Sequence, residues 1–249
     1  IELGSIAEPR RLTNSALADD LALSANGKWA ILGNELGRVE VWNLEEGRLV
    51  DQVQGLSPQQ ALGAIQYLNY SPMGNLGPKR GGGKVSLTPD GKTLIAGFAP
   101  GYIKTYALSE EGQLSEAQSM YSLQPFIWLG ALGKDLAATA SVPNSLEVWR
   151  LSDGKMVMRL LLDNPLRGVK MIPSATPRLL TGDQGNNLRL WEIAIGAETQ
   201  AIQINRNDLS EIGSLSIGGA GKILAVERTM VIQLCDLETF KPAGQVPSA

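Results

Sequence analysis

The sequence predicts an all-β protein built by repeating a four-stranded antiparallel unit. Three observations predict it. Five segments share one grammar, at residues 27–50, 91–114, 133–157, 177–200 and 221–244. Within each, polar and apolar residues alternate with a period of two, as in strands rather than helices. Each also carries a slot at the end of its alternating strand, filled by Trp42, Tyr106, Trp149, Trp191 and Cys235. The slots are spaced 64, 43, 42 and 44 residues apart. Three of these four spacings fall in the ~40–45 residue period expected of a four-stranded repeat.

Each unit can be justified strand by strand. The inner-strand candidates are ALADDLALS (16–24), KVSLTP (84–89), IWLGAL (127–132), GVKMIP (168–173) and EIGSLSI (211–217). A Gly-Lys-type turn follows, then a short apolar second strand such as AILG, LIAG or LLTG. In most repeats a turn rich in Gly, Asn or Pro leads to the third strand, VEVW, IKTY, LEVW, LRLW or VIQLC. Gly and Asn supply the positive φ that tight turns require. Outer-strand candidates are RLVDQVQ (48–54), EAQSMYSL (116–123), MVMRLLLD (156–163) and ETQAIQI (198–204). Two segments compete for the fifth outer strand: the N-terminal IELGSIA, which would close a ring of five, and AGQVPS near the end. The chain as a whole, 1–249, reads as one domain with a long insert at 55–83.

On this grammar the chain resembles the WD-repeat β-propeller family over roughly residues 14–240. The resemblance implies a ring of radial blades; five are visible here, and two readings stay open, a closed ring of five or a ring of six or seven in the full-length protein. The family's Gly-His pair is absent, because there is no His. Its Trp-Asp pair is never intact; Trp191-Glu192 and Cys235-Asp236 come nearest. The family's His-linked hydrogen-bond network therefore cannot form, and packing of Trp and aliphatic side chains is expected to hold the blades instead. Cys235, in a slot otherwise filled by aromatics, reads as a core residue. Trp128, on an inner strand, is expected to line a central channel or pack between blades.

The insert holds GPKRGGGKV (77–85), a glycine run meeting a lysine. A phosphate-binding loop reads G-x-x-x-x-G-K-[ST] between a strand and a helix. Here Pro78 stands where the first Gly belongs, Val85 stands in the Ser/Thr position, and a strand follows. The segment is too rich in Gly and Pro for a core element, so a surface loop is expected across 55–83.

Composition narrows the function classes. The net charge is −3, which argues against a nucleic-acid partner. With no His and one Cys, neither Ser-His-Asp nor Cys-His catalysis nor a cysteine-based zinc site can be built from this chain. No apolar run approaches the ~18 residues of a membrane span. Asp19-Asp20 and Glu45-Glu46 read as solvated charge, and GDQGNN (182–187) as a Gly/Asn hairpin turn rather than a calcium loop. The expectation is a non-enzyme without cofactor or metal. A cytoplasmic location is favoured, though a chain starting at Ile1 leaves export or a lumenal location open.

What remains is a surface for protein partners. The resemblance implies that the propeller face carrying the second-to-third turns and the outer-to-inner connections is a docking surface. Tyr67, Tyr70, Lys79, Arg80 and Lys84 lie in or beside the insert; Arg38, Tyr102 and Arg228 fall in second-to-third turns, Arg167 and Arg206 in outer-to-inner loops. Tyrosines are favoured interface anchors, and a basic rim would suit an acidic segment. The expected function is a non-catalytic interaction scaffold or assembly factor. The alternatives are a ligand-sensing domain of a larger protein, or an enzyme using carboxylates or a metal in a central channel.

Overall fold

The computed structural model describes residues 18–34, 37–70, 83–122, 124–141, 144–172, 176–193, 200–204, 215–218, 222–227, 231–237, 239 and 241–247. It holds five four-stranded antiparallel sheets. The first is β1 (Asp20–Leu23), β2 (Trp29–Gly33), β3 (Arg38–Asn43) and β4 (Arg48–Gln54). After a helix, α1 (Pro58–Tyr70), come β5 (Lys84–Leu87), β6 (Thr93–Phe98), β7 (Tyr102–Leu108) and β8 (Leu114–Tyr121). The third sheet is β9 (Phe126–Ala131), β10 (Leu136–Ser141), β11 (Ser145–Arg150) and β12 (Met156–Leu161). The fourth is β13 (Leu166–Ile172), β14 (Arg178–Asp183), β15 (Leu188–Glu192) and β16 (Gln200–Ile204). The fifth is β17 (Leu215–Gly218), β18 (Ile223–Glu227), β19 (Val231–Asp236) and β20 (Pro242–Pro247). Every sheet is a simple up-and-down meander.

β20 takes the outer position beside β19, so AGQVPS rather than IELGSIA is the fifth sheet's outer strand. IELGSIA itself lies outside the described residues. Two compact units divide at Ala117/Gln118, within β8.

The repeat holds at the level of single hydrogen bonds. Ser24 Oγ donates to Asn26 Oδ1 at 2.7 Å, and Thr88 Oγ1 donates to Asp90 Oδ1 at 2.7 Å. In each turn a glycine follows in the left-handed region, Gly27 at φ +69° and Gly91 at φ +70°.

β2 and β3 are almost wholly buried, whereas β4 and β12 alternate. All five slot residues are buried, Cys235 included. In the first unit, Ile31, Val39 and Val41 share a core with Leu94, Ala96 and Tyr106. In the second, Leu146 and Val148 meet Leu179 and Trp191, and Leu180 and Leu190 meet Leu224 and Cys235. Trp128 packs against this second-unit core and folds over Gly130.

Packing is not the only tie on the slot residues. Trp149 Nε1 donates to Thr139 Oγ1 at 3.1 Å, and Trp191 Nε1 to Thr181 Oγ1 at 2.9 Å. Both reach from the third strand to the second. Trp42 instead donates to Glu40 Oε2, two residues back on its own strand, at 2.9 Å. Without His, three slots still satisfy their buried indole N–H.

Candidate functional site

One end of the first unit carries α1 with Arg38, Lys84 and Tyr102, and its construction starts with a correction. The segment expected to be all loop contains α1, a helix of 13 residues. Its start signal is Ser57-Pro58-Gln59-Gln60. Gln60 N–H donates to Ser57 Oγ at 3.3 Å, and Ser57 N–H donates back to Gln60 Oε1 at 2.9 Å. This is a capping box, with Pro in the first helical position, where its missing N–H costs nothing. Leu56 before the cap and Ala61 in the first turn both join the first core, a hydrophobic staple. Gly and Pro content alone hid this signal.

The helix is mounted on the β2–β3 turn. Gly55 N–H donates to Gly37 O at 2.6 Å, and Leu56, 1% exposed, lies against Gly37. Nearby, Gly83 runs against the chain at Asn34: a Cβ on Gly83 would stand 2.2 Å from Asn34 O. No other residue permits that approach. The last glycine of the run is thus used for close backbone packing. Immediately after it, Asp20 Oδ2 accepts a bond from Val85 N–H at 3.1 Å, tying β1 to β5.

Arg38, Lys84 and Tyr102 share this end of the unit, each the first residue of its strand rather than part of a free turn. Lys84 pairs with Gly97 and Tyr102 with Phe98, which sets both at one end of the second sheet. Arg38 is not a free cation. Its Nε lies 2.6 Å from Glu40 Oε1, an ion contact without hydrogen-bond geometry, and its Nη2 donates to Gln52 at 2.8 Å. Glu40 is 3% exposed and also accepts from Trp42, so Arg38 neutralises a buried carboxylate. Tyr102 is half-buried against the first core.

Tyr67 and Tyr70 lie on α1, but their side chains are outside the described residues, as are Lys79, Arg80, Arg206 and Arg228 altogether. Arg167 belongs to the second unit and lies within β13, not in a loop. The proposed basic rim therefore reduces, among the described residues of the first unit, to one paired arginine and one half-buried lysine. The exposed part of α1 has a different character. Pro58–Tyr70 carries no charged residue, and Leu62 is 60% exposed.

Two further buried carboxylates are engaged by nearby groups. Glu147, 1% exposed, accepts from Ser122 Oγ at 2.7 Å and lies 3.5 Å from Arg159. Asp183 accepts from Asn187 N–H at 2.9 Å, with Asn186 at φ 61° beside it. GDQGNN is the expected hairpin turn. Among the described residues no group of three or more His, Cys, Asp or Glu could hold a metal ion. A cavity of about 250 Å³ lies at the other end of the first unit, beneath Trp29 and Leu108. Its rim residue Asp90 is already engaged by Thr88 and by Lys92 N–H.

No protein-family model matches the chain, and no curated protein matches it. Among the described residues no helix is long and apolar enough to cross a membrane.

Proposed function

We propose that the chain is a non-catalytic protein-interaction module whose sheets are blades of a β-propeller resembling WD repeats. Partners dock on the end of the first unit that carries α1. One observation carries this reading: an uncharged 13-residue helix, fixed at its start by a capping box and by Leu56, presents an apolar side chain to solvent. Interface centres are depleted of charge, and a preformed helix spares the cost of ordering on binding. Arg38, being engaged by Glu40 and Gln52, positions the turn beneath the helix rather than the partner. The partner's contact is therefore chiefly apolar, with Lys84 at its edge.

The test is a paired capture experiment on wild type and a Leu62→Glu, Gln66→Glu variant. Both positions are exposed, so the sheets should be unaffected. Loss of the proteins recovered with wild type, at unchanged circular dichroism, supports the reading. Equal recovery overturns it.

A further inference from the structure

One turn is built twice in the first unit, with one chemical difference at its centre. Between β1 and β2 stands Ser24-Ala25-Asn26-Gly27-Lys28; between β5 and β6 stands Thr88-Pro89-Asp90-Gly91-Lys92. Asn26 Oδ1 accepts from Ser24 Oγ at 2.7 Å and from Lys28 N–H at 3.0 Å. Asp90 Oδ1 accepts from Thr88 Oγ1 at 2.7 Å and from Lys92 N–H at 3.2 Å. Gly27 N–H donates to Ser24 O at 2.9 Å, and Gly91 N–H to Thr88 O at 2.8 Å. The first turn is therefore already shaped for an aspartate at position 26.

Asn26-Gly27 is also the only Asn-Gly pair in the sequence. An asparagine before glycine is open to attack by its own backbone, because glycine puts no side chain beside the attacking nitrogen. Both residues are exposed, and a Cβ on Gly27 would meet nothing within 4 Å. The two donors on Oδ1 draw electron density from Cγ, the atom attacked. Ser24 O holds the Gly27 N–H, so attack waits for the turn to open. The turn lies outside the strands, where local opening costs less than global unfolding.

We propose that Asn26-Gly27 is a self-modification site, at which Asn26 deamidates and the fold retains aspartate over isoaspartate. The inference is independent of the docking role of α1 and of any ring. Gly27 N bonds to Asn26 Cγ, the Cγ–Nδ2 bond breaks, and the amide leaves as ammonia with the Gly27 proton, giving a succinimide. Water then opens the ring. Breaking the Cγ–N bond gives aspartate; breaking the backbone C–N bond gives isoaspartate, which lengthens the main chain by one methylene. Aspartate keeps the hydrogen bonds of the turn, as Asp90 does. Isoaspartate pulls the Gly27 N–H from Ser24 O and the Lys28 N–H from its acceptor. Either product can lose water and close the ring again, so exchange drains to the form that fits. Two lost hydrogen bonds favour aspartate about tenfold over the ratio in the denatured chain. The product adds one negative charge to the cavity lined by Asn26, Asp90, Lys92 and Glu110.

Peptide mapping of the full chain, aged at mildly alkaline pH in buffer and in urea, tests it. The folded chain should gain one mass unit at Asn26, with an aspartate-to-isoaspartate ratio about tenfold above that in urea. Asn26→Gln, whose longer side chain cannot close a five-membered ring, should gain none. Asn26→Asp should match the urea midpoint of wild type and co-elute with aged wild type on anion exchange. Asp90-Gly91 reads the selection independently: it should stay aspartate in the folded chain and isomerise in urea. No mass gain at Asn26 in the folded chain, or the same product ratio in both states, would overturn the proposal.

Discussion

Replacing Tyr106 by Phe should stabilise the protein. Tyr106 fills the second slot, is 2% exposed, and its hydroxyl has no hydrogen-bond partner among the described residues. A buried hydroxyl without a partner costs ~1–3 kcal/mol in mutational data. Removing the oxygen leaves a void of roughly 12 Å³, which at ~24 cal/mol per Å³ returns only about 0.3 kcal/mol. The net gain should be about 1 kcal/mol, or roughly 2–4 °C in Tm for a chain of this size. The pH dependence gives a second readout. Burial, and secondarily the charge of Glu116, raise the Tyr106 pKa above its ordinary value of 10.0. The fold therefore favours the neutral phenol. Above pH ~10 the unfolded chain ionises this residue while the folded one does not. Unfolding then releases a proton, and wild type loses about 1.4 kcal/mol per pH unit from this site. The Phe variant has no such loss. Denaturant midpoints at pH 7 and from pH 10 upward measure both effects, with the other tyrosines cancelling between variants. A lower midpoint for Tyr106→Phe at pH 7, or a gap that does not widen above pH 10, would refute the reasoning.

Thr139→Val and Thr181→Val each strand a buried indole N–H and should lower stability by ~1–3 kcal/mol in urea titrations; Thr→Ser should restore most of it. Gly83→Ala places a methyl against the Asn34 backbone and should lose ~2 kcal/mol or more, with faster amide exchange in β1 and β5. Ser57→Ala with Gln60→Ala removes both arms of the capping box. It should weaken α1 by ~1 kcal/mol, seen as faster exchange across Pro58–Tyr70 while β2 and β3 stay protected.

The sheets were legible because their signal is repeated. Alternation with period two, turn residues at fixed offsets and a bulky slot each speak weakly, but five copies agree. The candidate surface was less legible, for two physical reasons. In the insert, Ser-x-x-Gln with Pro after Ser marks a helix start that the Gly and Pro content obscures. Charge in the sequence also does not report exposure. Arg38 reads as a rim cation in sequence, yet Glu40, two residues on, faces inward and binds it. A carboxylate alternating in phase with a core tryptophan is the clue that was present. Thr139 and Thr181 carried a similar clue, each ten residues before a slot tryptophan.

That phase relation recurs in every repeat and explains how the sheets manage without a shared polar network. Two residues before the slot stand Glu40, Lys104, Glu147, Arg189 and Gln233. Each of the four charged ones is compensated, but differently: Glu40 by Arg38 and Trp42, Lys104 by Glu116, Glu147 by Ser122 and Arg159, Arg189 by Asp163 and Asp183. The signs differ from sheet to sheet, so the partners are not interchangeable. Moving a third strand into the wrong sheet would bury a charge against the wrong counterpart, a penalty of several kcal/mol. A common network would stabilise every sheet alike and would not distinguish one third strand from another. The individual pairs instead tie each third strand to side chains in or next to its own sheet, which makes the membership of each sheet a property of the sequence.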